Sequence, residues 1–343
     1  MEPGAHRPVR ERRRRLRGNA TDLRRCDARH RHRRGHHRPR RHPVSGIDRK
    51  AYSEIIEARV RAPESLRTAL TSRRRRELVG DDGNMLIVAV DHTARGMLAA
   101  GSDPLAVADR YTLLDRVVRA LQVPGVDGVM ASADILEELA FLGALDDVLA
   151  IGTMNRGGII GARWELDDRL TAYDPDHIAE YGLDGGKTLV RIEDTDAGVA
   201  RTLEMVAALS TEMADRKIMN MIEPLPYVID ETGRARLDSS VERLIKVVAI
   251  ASGLGSCSAY TWLKLPASER MAEVAGATTM PIVMLGGDPG ADAARTFAGW
   301  QAAMAEPNVR GLVAGRALVY PEDGDVERAV TAAAQIVHPS EGK

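Results

Sequence analysis

The chain of 343 residues predicts one α/β domain, a single (β/α)8 TIM barrel. Three observations support this prediction: short apolar runs recur along the chain, helical stretches separate them, and most runs end in glycine or a charged residue. Strands that alternate with helices pair in parallel through right-handed crossovers. Eight such units over roughly 250 residues correspond to a closed barrel. An open, doubly wound sheet is the main alternative, and no Gly-x-Gly-x-x-Gly motif follows the first strand to favour it.

The strands and helices of the barrel can be assigned in order within residues 47–337. A helical pattern runs from Arg49 to Leu78, and the Arg73–Arg76 run is interpreted as its solvated end. Continuous apolar runs then predict strands that are buried on both faces. The eight strands are expected at Met85–Val90, Gly128–Ser132, Asp147–Gly152, Lys187–Ile192, Lys217–Glu223, Tyr260–Leu265, Pro281–Leu285 and Arg310–Ala314. The helices are expected to include Ala106–Leu121, Val199–Asp215, Ser239–Ala251 and Ala291–Ala305.

The first 46 residues differ in composition from the rest and are predicted to be a disordered basic tail. Residues 1–45 hold 16 Arg and six of the nine His against four acidic residues, and the rest of the chain has a formal charge of −13. Arg-rich tails can bind nucleic acid, but this one has no Lys, no aromatic residue and no helical periodicity, so nucleic-acid binding is not expected. A start assigned too far upstream, with Val44 as an alternative, would also explain the tail. Residues 338–343 are predicted to be a short C-terminal tail.

The remaining composition indicates a reducing compartment. The two cysteines, Cys26 and Cys257, have no metal-ligand spacing and cannot build a disulfide framework. No apolar run approaches the ~20 residues that span a bilayer. We therefore expect a cytoplasmic protein with no membrane partner. Aromatic residues make up only 3% of the chain, so aliphatic side chains must fill the core.

Lys264 is the most informative candidate residue, because it is a lone lysine in the apolar run Ala259–Pro266. Lysine is rarely buried without a partner or a function. An apolar site favours the neutral amine, which can attack a carbonyl carbon and form an imine. The alternative is a lysine that extends to solvent or pairs with a carboxylate.

Other polar residues lie at the predicted strand ends, and barrel enzymes carry their chemistry at the C-terminal ends of their strands. Glu223 follows an apolar run and precedes Pro224, which suits either proton transfer or a structural acid. Asp91 closes the first strand and either orients a substrate hydroxyl or caps the following loop. His92 is a second acid/base candidate beside the substrate or a packed histidine. Lys187 opens the fourth predicted strand.

Two glycine-bearing strand ends predict a phosphate site. Gly286 and Gly287 follow the seventh strand, and Gly315 and Arg316 follow the eighth. Backbone N–H groups at these two ends form the usual phosphate site of such barrels. Arg316 either contacts the anion or faces outward. Arg156, after the third strand, either binds an anionic substrate end or forms a salt bridge.

These motifs resemble those of class I, Schiff-base aldolases of the barrel type, in particular the group that contains tagatose-1,6-bisphosphate aldolase and the archaeal-type fructose-bisphosphate aldolases. Val88–His92 is similar to that group's first-strand Asp motif, and Lys187–Asp196 to its internal Lys strand. Ile222–Pro224 is similar to the strand with the acid/base carboxylate, and Trp262–Pro266 to the Schiff-base strand. The resemblance covers about residues 80–320. A family of uncharacterised actinobacterial barrel proteins, sometimes linked to inositol catabolism, is more similar still.

The resemblance implies aldol cleavage of a phosphorylated ketose. Lys264 would form the imine, Glu223 would move the proton at the cleaved hydroxyl, Asp91 would orient that region, and Lys187 would favour the neutral form of Lys264. It implies no metal and no cofactor, since the imine replaces a Lewis acid. Other members of the group place a Tyr or a differently flanked Glu where Glu223 stands, and the segment 133–186, where substrate choice would reside, has no clear match.

Two other functions stay open. One is a phosphate-binding barrel isomerase or synthase that uses Glu223 and Asp91 as acid and base, without metal and without an imine. The other is a non-catalytic protein associated with nucleic acid through residues 1–45. The expected partner is a phosphorylated sugar. A homo-oligomer is also expected, because the outer helices of barrels often form interfaces.

Overall fold

A computed structural model of the protein describes residues 46–155, 158–162, 164–287 and 292–339. Eight parallel strands form one sheet, and the pairing of its fourth and fifth strands closes that sheet into a barrel. The strands are β1 Met85–Ala89, β2 Gly128–Ala131, β3 Leu149–Thr153, β4 Gly185–Ile192, β5 Met219–Ile229, β7 Thr261–Leu265, β8 Ile282–Leu285 and β9 Val309–Ala314, with a short β6 Ala235–Leu237 that pairs antiparallel to the end of β5. The predicted barrel is confirmed, and each predicted strand overlaps an observed one, although β4 begins before Lys187 and β5 continues past Glu223.

Helices surround the barrel. They are α1 Arg49–Arg61, α2 Glu64–Ser72, α3 Arg110–Gln122, α4 Ala133–Phe141, α5 Pro175–Glu180, α6 Gly198–Asp215, α7 Val241–Ser252, α8 Met271–Ala275, α9 Ala293–Ala303, α10 Arg316–Val319 and α11 Val326–Val337, with a 3-10 turn at His92–Arg95. Aspartates begin several of them, since a carboxylate accepts the unpaired N–H groups of a first turn. These N-caps are Asp48, Asp109, Asp174, Asp292 and Asp325. None of the helices in the described part of the chain is long and apolar enough to cross a membrane.

Two hydrophobic cores hold the barrel together. The larger lies between strands and helices, and the smaller fills the interior of the barrel. Methionine contributes much of the interior, where its flexible side chain fills irregular space. The interior residues are Met85, Ile87, Ala89, Met130, Leu149, Ile151, Met219, Met221, Val283 and Val313. The polar residues of the mouth therefore lie above a closed apolar layer.

The Arg73–Arg76 run lies across the N-terminal ends of the strands, so its assignment as a solvated helix end is wrong. The predicted helix breaks at Pro63 into α1 and α2, and α2 ends before the run begins. Arg73 is buried, with 8% of its surface exposed, and donates to Asp184 at 2.8 Å. Burial lowers the pKa of the Arg73 guanidinium, and Asp184 opposes that shift.

The other arginines of the run also pair with aspartates that precede strands. Arg74 pairs with Asp146 and Asp147, before β3, and Arg76 pairs with Asp127, before β2. Asp127 also accepts a hydrogen bond from the backbone N–H of Leu86 in β1. We call residues 73–76 with these aspartates the arginine clamp. It ties together the starts of four neighbouring strands, at the end of the barrel opposite the polar mouth.

A residue near the C-terminus also contacts the arginine clamp. His338, in the predicted C-terminal tail, contacts Asp82 at 2.5 Å and Asp127 at 2.9 Å through its two ring nitrogens. Hydrogen bonds to Asp127 and Asp82 raise the pKa of His338. The residue that follows α11 is thus joined to the loops that precede β1 and β2.

Candidate active site

Four charged side chains meet inside the C-terminal mouth of the barrel. Lys264 of β7 donates to one carboxylate oxygen of Glu223 of β5 at 2.8 Å. Lys187 of β4 forms an ion pair with the other oxygen of Glu223, and its Nζ lies 3.5 Å from Asp91 Oδ2. Lys187 and Asp91 are fully buried, and 4% of Lys264 and 6% of Glu223 is exposed. The structure thus brings together the four residues proposed as catalytic from the sequence.

Strand register places these side chains side by side. In the β5–β7 pair, Ile222 lies opposite Leu263, so the next residues, Glu223 and Lys264, are neighbours on the inner face. In the β4–β5 pair, Lys187 lies opposite Met221, two residues deeper in the barrel than Glu223. Its long side chain therefore extends toward the mouth, where its ammonium group meets the carboxylates.

The cluster contains two carboxylates and two lysines whose side chains are all buried. An unpaired buried charge is strongly unfavourable, and each charge here has an opposite partner at short distance. Glu223 is central, since its two oxygens contact the two lysines separately. A proton can pass directly between Lys264 and Glu223, because a hydrogen bond already joins them.

Asp91 does not cap the loop that follows β1. It occupies the position before the 3-10 turn, but its side chain makes no capping hydrogen bond there. The carboxylate instead accepts from Thr153, whose hydroxyl lies 3.2 Å from Asp91 Oδ2. Sequence analysis missed Thr153 because the third strand was predicted to end one residue earlier, at Gly152.

The two glycine-bearing strand ends lie against each other. A Cβ on Gly286 would lie 3.3 Å from the backbone nitrogen of Gly315, and a Cβ on Gly315 would lie 2.5 Å from Cε1 of His92. Only glycine fits the second position, where the end of β9 packs on the end of β1. The structure therefore places Gly286, Gly315 and His92 together at the mouth of the barrel.

The remaining predicted binding residues have different positions. Gly287 is exposed and has a φ of +60°, in the region that favours glycine. Arg316 begins α10 and is buried, and its guanidinium donates to the carbonyl of Ala99 at 3.2 Å. This hydrogen bond directs at least one guanidinium nitrogen of Arg316 toward the loop after β1. Arg156 and the segment 288–291 lie outside the described residues.

A second buried ionic group, absent from the sequence-based prediction, lies further along β4. Arg191 is fully buried and donates to both carboxylate oxygens of Asp168, at 2.7 to 3.1 Å. Burial alone would lower the pKa of Arg191, but its hydrogen bonds to Asp168 raise it above the ordinary value. Asn155 lies beside it and exchanges hydrogen bonds with the backbone of Leu189, continuing the β3–β4 pairing through a side chain. No sequence pattern links Asp168 to Arg191, since a loop contributes the acid.

Metal-binding geometry does not occur in the described ranges: no group of three or more His, Cys, Asp and Glu side chains is arranged to hold an ion. The charged cluster and the glycine-bearing ends are two groups that could contact a small ligand. Both lie at the C-terminal face, where barrels of this architecture bind their ligands.

The fold and this cluster define a (β/α)8 barrel protein with a buried lysine–carboxylate site at its mouth. The chain belongs to the Cgl0159-like family, whose model matches residues 83–334. It is similar to the crystal structure of Cgl0159 from Corynebacterium glutamicum, with 46% identity, a TM-score of 0.83, and coverage of 86% of this chain and 99% of that one.

More distant solved structures are fructose-1,6-bisphosphate aldolases. One archaeal enzyme has 16% identity and a TM-score of 0.58, over 79% of this chain and 98% of its own. A second archaeal aldolase, with its catalytic Lys covalently bound to the carbinolamine intermediate of the substrate, has 18% identity and a TM-score of 0.57, over 79% of this chain and 99% of its own. At these identities the similarity establishes the shared fold alone. No curated protein matches the chain.

Proposed function

We propose that the protein is a class I aldolase that cleaves or forms a C–C bond in a phosphorylated sugar through an imine on Lys264. The observation that carries this proposal is the contact of Lys264 with Glu223, which also binds Lys187, inside the mouth of the barrel. A buried amine with an adjacent proton acceptor is what imine formation requires. The fold shared with Schiff-base aldolases adds support by analogy.

The proposed reaction begins at the Lys264–Glu223 hydrogen bond. Glu223 accepts a proton from the ammonium group, the neutral nitrogen adds to the ketone carbon, and one proton then moves from that nitrogen to the former carbonyl oxygen. The carbinolamine then loses water, with the proton returned by Glu223, and an iminium ion remains. Lys187 keeps a positive charge beside Glu223, which stabilises its carboxylate form.

Bond cleavage uses the iminium ion as an electron sink. The electron pair of the breaking C–C bond moves toward the nitrogen and gives an enamine, while Glu223 takes the proton of the adjacent hydroxyl and an aldehyde leaves. Asp91 orients that hydroxyl. Glu223 returns that proton to the enamine carbon, and one water molecule then hydrolyses the iminium ion, which releases the ketone and restores Lys264. The backbone at Gly286, Gly287 and Gly315 anchors the phosphate, and a fixed end holds the reacting carbon near Lys264.

One alternative is supported by the same contact. A lysine paired with a carboxylate at 2.8 Å is also what a structural ion pair would present. In that case Glu223 and Asp91 would act as acid and base in an isomerase or synthase that forms no imine. The two possibilities differ in whether a covalent adduct with substrate exists.

Borohydride trapping separates them. The protein is incubated with a panel of phosphorylated ketoses and sodium borohydride, and intact mass and peptide mapping locate the reduced adduct. The aldolase predicts a stable adduct on Lys264 that is lost in Lys264→Met and kept in Lys246→Met, a matched change at an exposed lysine of α7. Turnover of a sugar phosphate without any adduct would favour the acid/base alternative. An adduct on Lys187 would reassign the nucleophile.

A further inference from the structure

Thr153 makes a hydrogen bond that crosses the mouth of the barrel. It is the last residue of β3 and is fully buried. Its hydroxyl donates to Asp91 Oδ2 at 3.2 Å. Asp91 follows β1, and β2 lies between β1 and β3 in the sheet, so the contact is not part of the pairing of neighbouring strands.

The same oxygen of Asp91 also contacts Lys187. In the β3–β4 pair Thr153 lies directly opposite Lys187, so the two side chains point into the barrel next to each other. Lys187 Nζ is 3.5 Å from Asp91 Oδ2 and also pairs with Glu223. One carboxylate oxygen thus receives a neutral donor from β3 and a cation from β4.

These two contacts act on Asp91 differently. Attraction between Lys187 and Asp91 depends mainly on distance and fixes the rotation of the carboxylate weakly. A hydroxyl donor is directional, and it also favours the ionised carboxylate over the protonated acid. Asp91 makes no capping bond to its own loop, and the Thr153 hydrogen bond gives its carboxylate a directional contact beside the ionic one.

We propose that Thr153 is a positioning residue, which holds Asp91 ionised and turned toward Lys187 so that Asp91 can orient the hydroxyl of the substrate. The role of Thr153 in turnover rests on the proposed aldolase function. Two substitutions isolate the effect of its hydrogen bond to Asp91. Thr153→Val keeps the branched shape and removes the donor, and Thr153→Ser keeps the donor and removes a methyl group.

The first measurement follows the Asp91 carboxyl group itself. Protein labelled with 13C at the aspartate carboxyl carbons is titrated by NMR, and the Asp91 signal is assigned by its loss in Asp91→Asn. In Thr153→Val we expect its titration midpoint to rise by roughly one pH unit, because a hydrogen bond to the ionised form is lost. Among the described residues, Lys187 and Glu223 are the charged groups of the same cluster and His92 is the titratable neighbour in sequence, and the substitution leaves all three in place. Thr153→Ser should titrate like the wild type.

The second measurement is turnover of the sugar phosphate that gives an adduct. We expect kcat in Thr153→Val to fall about tenfold, with the acid limb of the pH–rate profile moved to higher pH, while borohydride still traps Lys264. Thr153→Ser should restore both. A Thr153→Val protein with wild-type kcat and an unchanged Asp91 titration would overturn the proposal, as would a Thr153→Ser protein as impaired as Thr153→Val. If the wild type forms no adduct with any ketose, the proposed aldolase function is wrong. The titration alone then still decides whether Thr153 stabilises the ionised form of Asp91.

Discussion

Replacing Glu223 by Gln removes the charge that the two lysines share and keeps the size of the side chain. The carboxylate contacts Lys264 through one oxygen at 2.8 Å and Lys187 through the other. An amide offers one acceptor oxygen, and its NH2 group is a donor that faces another donor. If Glu223 moves the protons of the reaction, kcat should fall by roughly 10²–10⁴-fold. That range corresponds to about 3–5 kcal/mol of activation free energy.

The same substitution should lower the free energy of unfolding. Removing one partner of a buried ion pair typically costs about 3–5 kcal/mol. A lysine can instead release its proton, which for a free side chain costs about 4–5 kcal/mol at neutral pH. The cost of losing the ion-pair partner and the cost of releasing the proton are therefore similar. The cost of releasing the proton falls by about 1.4 kcal/mol for each unit of rising pH. The stability difference from the wild type should therefore shrink as the solution becomes more alkaline.

Single-turnover cleavage and borohydride trapping, measured on the same samples, test the kinetic part. Glu223→Gln should slow both the trapping of sugar phosphate on Lys264 and the release of aldehyde, because Glu223 carries the protons of both steps. The control is Glu204→Gln, the same change on the exposed side of α6, with an unchanged rate and a stability within about 0.5 kcal/mol of the wild type. Cleavage by Glu223→Gln at the wild-type rate would refute the proton-transfer role, which would then pass to another group at the mouth.

Three further predictions concern the nucleophile and the opposite end of the barrel. Lys264→Ala should abolish C–C cleavage with a native circular dichroism spectrum, and wild-type turnover would remove this amine from the mechanism. Arg73→Ala should lower the free energy of unfolding by about 3–5 kcal/mol, measured with urea against Arg61→Ala on an exposed helix, because it leaves a buried aspartate with one partner fewer. His338→Gln should destabilise the fold most in mild acid. The pKa of this imidazole is raised in the folded state, so its contribution is complete below its ordinary value of about 6.5 and is lost as pH rises through the raised value. Equal destabilisation in acid and in alkali would contradict that coupling.

Much of the fold could be predicted because a strand buried on both faces is apolar at every position. β1 is apolar and buried throughout, and so are most positions of the other strands. Asp91, Glu223 and Lys264 interrupt or end such runs, which is why they were recognised as candidates. Their proximity then followed from the closed barrel, which brings the ends of all parallel strands to one face.

The remaining features depend on contacts between distant parts of the chain. Arg73 and Arg76 pair with aspartates 111 and 51 residues away, and the local sequence contains only a run of basic residues. Such a run usually lies in solvent, so the wrong interpretation was the one that composition favours. Thr153 was missed for a different reason: the third strand was predicted to end one residue too early, and a hydroxyl carries no signal until its acceptor is located.

The arginine clamp also distinguishes the first four strands of the barrel from the last four. Its described partners, Asp127, Asp146, Asp147 and Asp184, all precede the second, third or fourth strand. A ribosome synthesises the four arginines before any of these aspartates, so each ion pair can form as soon as its strand emerges. A nascent chain that has reached β4 thus already contains every described acidic partner of residues 73–76, whereas Lys187 at the mouth pairs with Glu223 only after β5 is made.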